Sequence, residues 1–237
     1  MEEITVRDCA RRGMAIFMKP HWEALTPDTR TTFQACANLP FIRDFYLAGG
    51  TGLALHLGHR FSVDLDFFSE RANTVDKKMR SVLKRKFRGQ SLELTHDQDA
   101  TFVAKLRAVG ISFFELDAHP LVEPTMDVEG VQIASIREIG AMKLAAVFGR
   151  ASRKDLVDLY YILQNERLEN LFRVAAKKYP LVPSFPHLAL RGMVFFDDAE
   201  KLDMPKMIDQ RAWSKMKKFL EKQAFEVGRR QLGKLWE

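Results

Sequence analysis

The sequence predicts an α/β protein: a β-sheet with flanking helices over residues 1–134, followed by an all-helical part over residues 135–237. Three observations carry this reading. A short apolar run at 45–48 leads into a glycine pair, a compact helical stretch and a second strand-like run that carries Asp64-Leu65-Asp66. Residues 91–95, 101–107 and 111–117 read as strands, and in the second of them Phe102, Ala104 and Leu106 alternate with Val103, Lys105 and Arg107, the period of a half-buried strand. After about residue 134 the strand signals stop, and Pro180, Pro183 and Pro205 mark the joints between helical stretches.

Residues 1–20 show no firm period. Thr26 followed by Pro27 has the form of an N-cap and first helical position, and the helix it opens runs to about residue 38, before Pro40. The strand at 45–48, Gly49-Gly50, a helix at 51–57, its stop at Gly58 and the basic turn His59-Arg60 come next. Asn73 is expected to cap a basic helix that reaches Arg88 and ends at Gly89. Val109-Gly110 suits the turn between the last two of the three strands, and 131–134 reads as one more. Ser135 and Glu138 have capping-box spacing at the head of a helix reaching about residue 148. Ser152 opens another to about 165. Helices at 167–178, 185–198 and 210–235 complete the chain.

Composition narrows the class. The chain has 237 residues, 46% hydrophobic and 29% charged, ordinary values for a globular protein with a sizeable core. No run approaches the length of a membrane span, the N-terminus has no apolar signal core, and Cys9 and Cys36 do not form a metal-ligand spacing, so a cytoplasmic protein is expected. The net charge is +6, and residues 201–237 hold ten Lys and Arg against five acids, nearly the whole excess. Such a basic end is either a nucleic-acid footprint or a solvated helix face. No zinc spacing, nucleophile elbow or Walker loop is present, and His56 and His59 are expected at the surface.

The chemistry concentrates in residues 45–69. Side chains alternate along a strand, so Asp64 and Asp66 point the same way, and two such carboxylates repel unless a cation lies between them. Mg²⁺ takes carboxylate oxygens together with substrate phosphates. Gly49 and Gly50 allow close backbone approach to a phosphate, at which the amides of the following helix point, and Thr51 adds a hydroxyl. The plainer readings are two solvent-facing strand acids and a tight turn without a ligand. Gly50-Thr51-Gly52-Leu53-Ala54-Leu55 also half-matches a dinucleotide-binding loop, but Leu55 stands where the third glycine belongs.

The glycine pair a dozen residues before Asp-hydrophobic-Asp resembles the nucleotidyltransferase signature. More narrowly, GGTGLALHLGHRFSVDLDFF, PLVEP at 120–124 and IGAMKLAAVFGRASRKDLVDLYYIL at 139–163 resemble the AbiEii/AbiGii-type nucleotidyltransferase toxin family. The resemblance spans roughly residues 41–163. It implies a nucleotidyltransferase-type mixed sheet and an enzyme that moves a nucleotidyl group from an NTP to an acceptor with Mg²⁺ held by Asp64 and Asp66. It also implies the toxin arm of a bacterial toxin–antitoxin or abortive-infection system, with an antitoxin protein as partner. Gly49, Gly50, Thr51 and Arg60 then bind the nucleotide. Lys143 meets its phosphates, and Asp155 or Asp158 is catalytic or orients that lysine. For Lys143 the plainer reading is a surface-seeking lysine; for Asp155, an acid that stabilises the start of its helix.

Many nucleotidyltransferases carry a third acid on a following strand. Glu115 and Asp117 are the candidates, yet alignment through PLVEP puts the position nearer Ser112-Phe113, which holds none. The alternatives are therefore a non-catalytic nucleotide- or RNA-binding protein and a phosphotransferase using the same metal site. The basic stretches 77–88 and 201–234 exceed what an NTP needs, so a polyanionic acceptor such as tRNA is expected to use them.

Overall fold

The computed structural model describes residues 19–149 and 151–233. Cys9, Lys234 and the last residues of the expected final helix lie outside that range. Helix α1 is Pro27–Ala37, capped by the Thr26 side chain, which accepts from the Thr29 amide at 3.1 Å. Strand β1 (Tyr46–Leu47) leads directly into α2 (Gly49–Leu57), and β2 is Leu65–Ser69. Then follow α3 (Lys77–Lys86), β3 (Leu92–Gln98), β4 (Thr101–Leu106), β5 (Val109–Glu115), β6 (Met126–Val128) and β7 (Val131–Ile133). The remainder is helical: α4 (Ile136–Gly149), α5 (Arg153–Ile162), α6 (Leu168–Lys178), α7 (Phe185–Val194), α8 (Asp197–Glu200) and α9 (Trp213–Gly233).

The strands form one seven-stranded mixed sheet in the order β3-β4-β5-β2-β1-β7-β6. β2 runs parallel to β5, and β1 parallel to β7, while β1 and β2 are antiparallel. The expected α/β class with a helical C-terminal part is therefore found. Alternation along the central strands sends side chains to two cores. Leu47, Leu65, Phe67, Phe113 and Ile133 pack with α1 and α3 on one face. Tyr46, Ala48 and Leu53 pack on the other face with α4 to α7 and α9. The helices after residue 134 thus share a core with residues that precede it.

Several local expectations shift for identifiable reasons. Asn73 has a positive φ of 60° and is no cap; Asp76 does that job, accepting from the Met79 amide at 2.7 Å. The β4–β5 hairpin turns at Arg107-Ala108, with Arg107 at φ 55°, so Val109 and Gly110 already pair in the sheet. Strand β6 was not anticipated; Glu129 and Gly130, both at positive φ, make the two-residue turn that pairs it with β7. The helix expected over 185–198 breaks between α7 and α8.

A buried ion pair fixes the PLVEP loop. Lys178 Nζ lies 2.7 Å from Glu138 Oε1, both side chains fully buried, and donates to the Pro120 carbonyl at 3.0 Å. Glu138 Oε2 accepts from the Val122 and Glu123 amides at 3.2 and 3.0 Å. The Glu138 carboxylate therefore serves this loop and the lysine, while Ser135 caps the Glu138 amide at 3.1 Å. Lys178→Met leaves a buried carboxylate without its counter-charge and is expected to cost about 3–5 kcal/mol in urea denaturation; a loss below about 1 kcal/mol contradicts this account.

Candidate active site

The site begins where β1 ends. Gly49 adopts φ +63°, and a Cβ on it would stand 2.9 Å from Asp66 Oδ2, so glycine is required both for the turn and for the approach to β2. The two glycines form the first turn of α2 rather than preceding it, and amides of a first helical turn have no intrahelical acceptor. Asp66 lies on β2 opposite Ser112 of β5 in the strand register. Asp64 sits one residue before β2. Gly110 faces it, and a Cβ there would come within 2.6 Å of Asp64 Oδ1.

Asp64, Asp66, Gly49 and Gly50 line a cleft of about 610 Å³. Lys143 from α4 and Lys154 and Asp155 from α5 line it as well. Its other walls are Leu25, Thr26, Pro27, Arg60, Phe61, Ser62, Val63, Pro205 and Lys206. Burial pushes the Asp66 carboxyl above the usual carboxylate range. The Asp64 charge adds to that shift, while the Ser112 hydroxyl, Lys143 and Lys154 oppose it. An acid pair in that condition gains from a cation placed between its members. Two carboxylates and a hydroxyl are hard oxygen donors suited to Mg²⁺. Among the described residues no cluster of three or more His, Cys, Asp or Glu is arranged to hold a metal.

Behind the cleft wall lies a buried hub. The fully buried Asp158 carboxylate accepts from Arg60 Nε at 2.6 Å and Arg60 Nη2 at 2.8 Å. Lys143 Nζ lies 2.7 Å from its second oxygen, and His59 Nε2 lies 2.8 Å from its first. Burial alone would raise the Asp158 carboxyl, but Lys143 and Arg60 hold it well below the usual range. Burial disfavours the charged forms of Lys143 and Arg60, and Asp158 with Asp155 reverses this, so both bases titrate above their ordinary values. Lys143 also donates to Asp155 Oδ1 at 2.8 Å.

A family model for the AbiEii nucleotidyl transferase toxin of type IV toxin–antitoxin systems matches residues 34–227. The chain belongs to the AbiEii nucleotidyltransferase toxin family. An uncharacterized protein of Aquifex aeolicus (strain VF5) is 30% identical over 181 residues, which is 75% of this chain and 85% of that protein. The fold is shared with MenT4, a nucleotidyltransferase toxin of Mycobacterium tuberculosis H37Rv. It has a TM-score of 0.58 at 16% identity, covering 94% of this chain and 89% of MenT4. A candidate nucleotidyltransferase from H. pylori gives 0.54 at 20% identity, covering 91% and 96%. The chain is thus a nucleotidyltransferase of the AbiEii family.

Within this AbiEii chain the structure brings Gly49, Gly50, Arg60, Asp64, Asp66, Lys143 and Asp155 to one cleft. Thr51 is turned away from the cleft, and Asp158 lies behind it against Lys143, the lysine-orienting place left open for it. Thr51 is fully buried; its hydroxyl bonds to the Asp64 carbonyl and lies 2.8 Å from Ser62 Oγ, so it braces the 62–64 loop instead of facing a phosphate. Asp158 is the inner hub, and Asp155 is the acid of that helix on the cleft side. Arg60 reaches the cleft but spends its guanidinium on Asp158 and on the Phe61 carbonyl at 3.0 Å. His59 is buried rather than superficial, and His56 meets the Ala134 carbonyl at 2.8 Å.

Neither proposed third acid joins the cleft. Glu115 accepts from the Thr74 and Val75 amides at 2.9 and 3.3 Å, and Asp117 is exposed in the loop after β5. Ser112 occupies the neighbouring strand position beside Asp66. Lys154 and Lys206 were not anticipated. Lys154 had a legible signal: a cation in the first turn of α5, where the helix dipole disfavours it. A polyanion that uses both basic stretches needs them on one side of the sheet, and they do not share one. α3 packs on the Phe67 face of the sheet and α9 on the Tyr46 face, the side to which Asp66 also points.

The hub sets an acid limb. A carboxyl depressed on folding stabilises above its unfolded pKa, about 3.9, and that contribution is lost as pH falls through the folded value. Asp158→Asn is therefore expected to lower stability by about 3–5 kcal/mol near pH 7. The difference from wild type should be flat above about pH 5 and shrink at lower pH, as urea melts across pH would record. A difference independent of pH down to pH 2 contradicts the assignment.

Proposed function

We propose that this nucleotidyltransferase transfers a nucleotidyl group from an NTP to an RNA acceptor, with Mg²⁺ held by Asp64 and Asp66, as the toxin arm of a toxin–antitoxin pair with a cognate antitoxin. The observation that carries the reading is the convergence of the Asp64/Asp66 pair, the first turn of α2 and the Lys143/Asp155 pair on one cleft. In nucleotidyl transfer an acceptor oxygen forms a bond to the α-phosphorus while the bond to the departing pyrophosphate breaks. Mg²⁺, when bound, neutralises phosphate charge and lines up the attacking and leaving oxygens.

The chain's own residues have separable tasks in this scheme. The first-turn amides of α2 receive phosphate oxygens. Lys154, exposed at the cleft, supplies a cation that can move onto the triphosphate. Lys143 is held by Asp155 and Asp158 at the cleft floor, where its ammonium faces the carboxylate pair as a fixed charge. Gly49 and Gly110 keep both carboxylates free of neighbouring side chains. An RNA acceptor is supported by the excess of positive charge on the helical side, where α9 carries Lys215, Lys218 and Lys222. Counterion release on such contacts makes the affinity fall steeply with salt.

Incubation with each labelled NTP, Mg²⁺ and total RNA tests the reading. Label is expected in RNA, absent with EDTA, and reduced at least about 100-fold by Asp66→Asn without loss of the folded state by circular dichroism. Label in protein instead of RNA replaces the acceptor, and wild-type activity in Asp66→Asn removes the metal pair from the mechanism. Charge reversal at Lys215 and Lys218 should weaken RNA binding and flatten its salt dependence while leaving NTP affinity unchanged; an unchanged salt slope places the acceptor surface elsewhere.

A further inference from the structure

The cleft is lined by two chemically different sets of residues. Carboxylates, glycines and Lys143 make up one part of its lining; Leu25, Pro27, Phe61 and Pro205 make up another. Phe61 is held by its backbone on both sides. Its amide donates to the Lys206 carbonyl at 2.8 Å, and its carbonyl accepts from Arg60. The strap that supplies Pro205 and Lys206 is fixed in turn, because the Ile208 and Asp209 amides donate to the His59 carbonyl at 3.0 and 3.1 Å. Tyr161 clamps the same strap by donating to the Asp209 carbonyl at 2.6 Å. The half-buried Phe61 ring is thus set in a rigid wall, and the exposed Lys206 ammonium lies 4.6 Å from its centroid.

We infer that the Phe61 ring, flanked by Lys206, is the nucleobase-binding subsite of the cleft. The inference rests on the nucleotidyl-transfer reading and adds where the donor's base is held. An aromatic face at a fixed position, in the same cleft as the glycine turn and the carboxylate pair, suits a flat heteroaromatic ring and not a sugar or a second phosphate. Its π-face is open enough for a cation to rest on it. An exposed cation–π contact is worth less than base stacking, and Lys206 is free to withdraw into water. Stacking accepts any base, so this wall supplies affinity for the base without choosing among the four NTPs.

The test compares Mg²⁺-dependent binding of ATP and of inorganic tripolyphosphate to the full chain. Phe61→Leu keeps apolar volume but removes the ring; it is expected to weaken ATP binding roughly tenfold or more and to leave tripolyphosphate unchanged. Phe61→Tyr restores a ring and should keep ATP affinity within about twofold of wild type. The subsite is overturned if Phe61→Leu binds ATP like wild type, if it loses both ligands equally, or if Phe61→Tyr loses as much as Phe61→Leu. A wild-type chain that binds neither ATP nor tripolyphosphate overturns the parent reading, and the subsite with it; one that binds both alike overturns the subsite alone.

Discussion

A carboxylate with no access to water is tolerated only when donors surround it, and Asp158 meets that condition with three side chains from two parts of the chain. Arg60 and His59 come from the loop between α2 and β2, and Lys143 from α4. The contacts from the loop to Asp158 join residues 98 and 99 positions apart. Removing any one partner leaves charge in a place where charge is costly, so the arrangement holds together or fails as a unit. Through it the loop that precedes Asp64, the helical half and the cleft floor are held in one geometry. The strap at 204–209 adds a second tie to the same loop, by backbone hydrogen bonds and the Arg60–Met207 bridge.

This constraint orders the roles of the cleft's cations. Arg60 and Lys143 reach the cleft, but their charges are already matched by Asp158 and Asp155. They supply a fixed electrostatic background near the Asp64/Asp66 pair. Lys154 and Lys206 are exposed and can respond to a ligand. A site built this way separates preorganisation, which resides in the buried pairs, from the exposed lysines Lys154 and Lys206. Ser112, not an acid, stands opposite Asp66 across the β2–β5 pairing, and in the proposed reaction the ligand's own phosphates would complete an ion's shell.

The glycine pair and the two aspartates were legible because their spacing is local and their chemistry is unusual: repelling acids beside a turn that excludes side chains. The sheet and the helical half followed from alternation and from prolines at the joints. Asp158 takes the lysine-orienting place left open for it, but its full burial was not legible, because helix spacing says which residues share a face and not whether that face meets water or a buried lysine, arginine and histidine. Thr51 has the same explanation, since a hydroxyl beside a glycine turn can face a ligand or brace a loop. His59, the 204–209 strap and the separation of the two basic stretches depend on long-range packing, to which no local pattern points. Strand β6 is three residues long, too short for alternation to register, although Glu129-Gly130 could have signalled its turn.

The central claim is that Asp158 holds the cleft loop to the helical half. Hydrogen–deuterium exchange on Asp158→Asn, compared with wild type under native conditions, tests it most directly. The account predicts faster exchange at amides 59–64 and 206–209, with β4 and β5 as protected as before. Unchanged protection of the loop and the strap in a folded variant would contradict it.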